Sequence, residues 1–124
     1  MGGIMTDTIF NEQSTGAIVC AFEDEDGTAI TPNRIRWTLT TANGQTVINN
    51  REHIDIAVPG ASVAIVLQGN DLQILEAEVG QQYAARLLTV EAEYDSDLGN
   101  NLPLVDEVTF KIKNSAYIFR RVSW

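Results

Sequence analysis

Apolar and polar residues alternate in short runs along most of this chain, and turn signals separate the runs. Alternation puts the apolar side chains on one face of an extended strand, so the pattern predicts half-buried β-strands. Arg34–Thr40 is the clearest run, with Ile35, Trp37 and Leu39 facing in and Arg34, Arg36, Thr38 and Thr40 facing out. Ahead of it, Ala17–Phe22 places Ile18, Cys20 and Phe22 on one face. After it comes Ala42-Asn43-Gly44, and Asn-Gly is the strongest short hairpin signal because both residues tolerate positive φ. Thr46–Asn50 is therefore predicted to return as the next strand.

Four more runs follow. Ile54, Ile56 and Val58 alternate until Pro59-Gly60, and Val63, Ile65 and Leu67 alternate until Gly69-Asn70. Tyr83–Asp95 turns Leu88, Val90, Ala92 and Tyr94 inward and Glu91 and Glu93 outward. Tyr83, Ala85 and Leu87 have the opposite parity, which predicts a bulge near Arg86. Val105–Lys113 turns Val108, Phe110 and Ile112 inward. Asp71–Val79 spaces Leu72, Leu75 and Val79 at helical intervals, so this segment is either a single helical turn or a loop.

About seven short strands with regular turns predict an all-β fold, an immunoglobulin-like β-sandwich with extended N- and C-terminal arms. A small β-barrel is the competing architecture. The predicted division is an N-terminal arm over 1–15, the sandwich over 16–114 and a C-terminal docking tail over 115–124. At 124 residues the chain is long enough for one self-sufficient core.

Eight Lys and Arg against seventeen Asp and Glu give a net charge of -9. That balance argues against nucleic acid as a partner, since phosphate neutralisation needs clustered bases. The lone Cys20 excludes an internal disulfide and a Cys-based zinc site. Met1–Ser14 has no Lys or Arg and no apolar run, so no export signal is expected there. Ala61–Leu67 is the most apolar window and is far shorter than the roughly 20 residues of a spanning helix. Synthesis in the cytoplasm and no membrane partner are the expectations.

The polar clusters predict little chemistry. Glu23-Asp24-Glu25-Asp26-Gly27 is the most acidic stretch, but a calcium loop in register with Gly27 begins at Phe22, which cannot ligate. Asp95-Ser96-Asp97-Leu98-Gly99-Asn100 has Asn where such a loop needs Gly. In a seven-strand sandwich of strictly alternating direction, these two loops fall at opposite ends. His53 is the only His, and no Ser or Cys stands beside a credible base. Cys20 alternates into the core as a small hydrophobe. No enzyme activity, cofactor or metal is therefore expected. Among the outward charges, cross-strand matching favours a long loop after Asp95, which sets Glu91 opposite Lys111.

The two arms carry the candidate partner-binding residues. Ile9-Phe10 is the one apolar pair of the polar leader. The tail contains Tyr117, Phe119, Arg120, Arg121 and Trp124, and aromatic residues and Arg dominate interface energetics. The tail either packs on its own domain as an edge strand or buries these side chains in a partner.

Phe22-Glu23-Asp24-Glu25-Asp26-Gly27-Thr28-Ala29-Ile30-Thr31-Pro32, followed by Ile35–Leu39, resembles the small immunoglobulin-like or fibronectin-like accessory proteins of tailed bacteriophages. Leu102–Phe110 is similar to their closing strand. The resemblance covers about residues 16–114 and implies a non-enzymatic virion protein. It would be present in multiple copies and bound to other capsid or tail proteins, most simply as a capsid-decorating protein. A neck, tail or fibre adaptor and a glycan-binding module on the host surface are the alternatives. The near absence of aromatics from the loops disfavours glycan stacking.

Overall fold

The computed structural model describes residues 4–115, with side chains from residue 8 onward. Among the described residues, seven strands run in the order β1 Ile4–Asn11, β2 Thr15–Ala21, β3 Arg34–Thr41, β4 Ile54–Asp55, β5 Ser62–Gln68, β6 Tyr83–Ser96 and β7 Gly99–Lys113. They form a five-stranded sheet ordered β1-β7-β6-β3-β4 and a two-stranded sheet β2-β5, packed face to face. Pairing of the second strand with the fifth, opposite the third, sixth and seventh, is the immunoglobulin-type distribution. All pairs are antiparallel except β1 with β7, where Ile4 lies beside Val108 and Asn11 beside Lys113.

The core follows the alternation. Ile18, Cys20 and Phe22 meet Ile35, Trp37, Leu39, Leu88, Val90, Val108, Phe110 and Ile112, all buried. Ile65 and Leu67 of β5 join them. Transfer from water stabilises each fully buried Leu, Ile or Phe by about 1.5–3 kcal/mol, which makes this shared face the main source of stability.

Several expectations need correction. Thr46–Asn50 is not a strand. It makes one bridge, Thr40 with Val47, and the Ile48 amide donates to Leu39 O at 2.9 Å. Asn49 and Asn50 then take φ of 52° and 57°, left-handed values that no strand can contain. Thr40, expected to face solvent, is buried. The Ile54–Val58 run pairs only at Ile54 and Asp55, and Val58 is exposed.

No bulge occurs near Arg86. The even residues of β6 face inward from Ala84 to Tyr94, and Arg86 is simply one of them, fully buried. The register shift lies at the other end of β6, between Tyr94 and Ser96. The helical spacing of Asp71–Val79 resolves into two short 3-10 turns, Gly69–Leu72 and Glu76–Glu78. The loop after β6 is tight, with Ser96 paired to Gly99. Glu91 consequently lies opposite Val105 on β7, not Lys111, and takes its charged partner Arg36 from β3.

Candidate functional site

Among the described residues, four groups of side chains differ in what their chemistry can do. The first is the acidic end. Loss of Thr46–Asn50 as a strand changes the count of chain reversals, so the β2–β3 and β6–β7 loops lie at the same end, contrary to the sequence expectation. Glu25 accepts hydrogen bonds from the Tyr94 hydroxyl at 3.2 Å and the Ser96 hydroxyl at 2.9 Å. Asn33 links the same end through Asp95 at 2.9 Å. Burial and the Glu25 carboxylate push the Tyr94 hydroxyl above its ordinary pKa.

Among the described residues, Asp24, Glu25 and Asp26 bring carboxylate oxygens within 4.8 Å of one another and are the residues that could hold a cation. Two of the three are already occupied. Asp24 Oδ1 accepts from the amides of Asp26 and Thr28, both at 2.9 Å, which closes the turn, and Glu25 is held as above. The cluster is a capped turn first.

The second group lies on the outer face of the five-stranded sheet. Glu91 sits between Arg36 Nη2 at 3.3 Å and His53 Nδ1 at 3.2 Å. Arg34 pairs with Asp55 at 3.2 Å. Arg34, Arg36, Glu91, Glu93, Pro103 and Val105 line a shallow pocket of about 140 Å³. These ion pairs are in contact with water, where such pairs contribute little to stability.

The third group is internal. Arg86 stands on the core face of β6 with its guanidinium on Glu78, at 2.7 and 2.6 Å, and on Gln73 O at 3.0 Å. Asp71, also buried, accepts from Arg51 Nε at 2.7 Å, Asn49 Nδ2 at 2.9 Å and the Gln68 amide at 3.1 Å. Burial alone would raise both carboxyls. The hydrogen bonds to Glu78 from Arg86 and the Leu75 amide, and those to Asp71, outweigh it and hold both below the ordinary range. These clusters tie the irregular 69–82 segment to the sheets. Cys20 is buried, and burial together with the Asp106 carboxylate raises its thiol, which keeps it protonated and unreactive.

The fourth is the outer face of β2-β5. Neither Thr-Gly-Ala-Ile-Val-Cys-Ala nor Ser-Val-Ala-Ile-Val-Leu-Gln contains a charge or a proline. Ile18 and Cys20 point into the core, so their neighbours point out. Ala17, Val19 and Ala21 are exposed beside Val66, Ala64 and Ser62, and Val19 is 68% and Val66 50% exposed. This is an uncharged apolar strip on a strongly acidic protein. The sequence reading missed it because alternation of large and small apolar residues hides which face is wet.

Of the residues predicted to bind partners, Ile9 is half-exposed on β1. Phe10 packs on Phe110, with ring centroids 5.4 Å apart, and lies directly over Gly16, where a side chain would collide with its ring. Tyr117, Phe119, Arg120, Arg121 and Trp124 lie outside the described residues. No helix among the described residues is long and apolar enough to cross a membrane. No family model, curated protein or solved structure matches the chain.

Proposed function

We propose that this chain is a non-enzymatic structural protein of a bacteriophage particle, a decorating or accessory subunit held on the particle by protein–protein contact. The observation that carries this reading is the uncharged outer face of β2-β5, with Val19 and Val66 standing in water. Exposed apolar strips rimmed by polar surface mark interaction sites. The net charge of -9 supports the same reading, because it leaves this strip as a place where another protein can approach without meeting acids. In the particle, the acidic loop end would face solvent.

Mass spectrometry of purified particles of the encoding phage is expected to find the chain in many copies. Val66→Lys should reduce that occupancy several-fold, while the isolated protein keeps its stability to within about 0.5 kcal/mol, as exposed substitutions do. Particles without the chain would end the reading.

A further inference from the structure

β2 offers more than an apolar face. The Phe22 amide donates to Ala61 O at 2.9 Å, and the Gly69 amide donates to Ser14 O at 3.0 Å. With the continuous register between them, the even residues of β2 bond to β5, and the N–H and C=O groups of Ala17, Val19 and Ala21 point the other way. Among the described residues, no strand lies beyond β2 in that sheet. Natural sheets protect such edges with Lys, Pro, bulges or inward charges, and β2 has none of these.

The two-stranded sheet is narrower than the five-stranded sheet it faces. A single added strand needs only the edge itself, whereas a second folded copy must bring both of its sheets alongside. The sequence offers a candidate segment. Residues 116–124, Ala-Tyr-Ile-Phe-Arg-Arg-Val-Ser-Trp, are rich in strand-forming side chains and carry two arginines in an acidic protein. Nine extended residues span about 30 Å, enough to run the length of β2.

We infer that residues 116–124 of one copy add as a strand to the free edge of β2 in a second copy. Direction selects the neighbour's segment over the chain's own. The chain leaves β7 at Lys113, whose carbonyl accepts from the Glu12 amide at 3.0 Å, beside the start of β2. The chain's own tail could therefore run only parallel to β2. A neighbour's tail can run antiparallel, which is the stabler pairing. Main-chain hydrogen bonds would supply affinity, as in other strand additions. The donor tail and the acceptor edge are different surfaces, so the contact is heterologous and can propagate from copy to copy. This deepens the proposed role by naming a second copy as one partner, and it is tested on free protein, where the particle reading is not at stake.

Sedimentation of the full chain over a range of concentrations is expected to show self-association. A chain ending at Ser115 should be monomeric. Val19→Pro removes an outward N–H that β5 does not use and should weaken association about tenfold or more. Ala17→Pro does the same at a neighbouring position if Val19→Pro fails to fold. Mixing the truncated chain, with an intact edge, and Val19→Pro, with an intact tail, should restore a pair that stops at two copies. A full chain that is monomeric at every concentration overturns the inference. So does association that survives truncation, or a mixture that does not pair.

Discussion

Arg86→Met is expected to lower the unfolding free energy by about 3–5 kcal/mol, the usual cost of breaking a buried ion pair from one side. Arg86 has no exposed surface, while the Glu78 side chain keeps 16%. The substitution leaves the Glu78 carboxylate without its bidentate partner and strips a donor from Gln73 O. The effect should depend on the partner's charge. Arg86→Met combined with Glu78→Gln should recover most of the loss, because an uncharged pair of similar volume avoids the stranded carboxylate. Urea unfolding of the two variants beside the parent checks both statements. A single-variant loss under about 1 kcal/mol would mean that Glu78 rehydrates freely and the pair is not a clamp.

Asp71→Ala is expected to cost about 3 kcal/mol, since three donors converge on one buried carboxylate and lose it together. Asp71 and Glu78 also set the acid limit of the fold. Both carboxyls are held below their ordinary pKa when folded. Each therefore contributes stability that is complete above the ordinary carboxylate range and is lost as pH falls through the lowered folded value. Thermal midpoints should be flat from neutral pH to about pH 5 and fall steeply below it. Asp71→Asn should start lower and fall less steeply. A parent curve as flat as the variant's would remove Asp71 from this role.

The fold was largely legible because half-buried strands announce themselves. Ile35, Trp37 and Leu39 could face only one way, and Val108, Phe110 and Ile112 repeat the signal. What was illegible has specific causes. A charged residue at an inward position, Arg86, reads as a break in parity, and only the partner on the 69–82 segment turns it into a core residue. Asn49 and Asn50 sit in a run with enough apolar content to suggest a strand, and their left-handed backbone is invisible in composition. That one lost strand also moved two acidic loops from opposite ends to the same end. The pairing of β1 with β7 left no trace, because neither strand names its partner. The site was less legible than the fold. Val19 and Ala64 look like core residues in the sequence, and only their exposure in the folded chain marks their face as a surface.

The parallel pairing of β1 with β7 also dictates an order of events. Ile4 finds its place beside Val108, so β1 has no partner until β7 has been synthesised. The remaining strands can assemble while β1 waits, and its docking closes the longest loop among the described strand pairs. Contacts of such sequence separation slow folding, so β1 should be the last element to gain protection from hydrogen exchange after dilution from denaturant. Until then β7, too, is an open edge, and the nascent domain passes through a stage with more unpaired strands than the finished one.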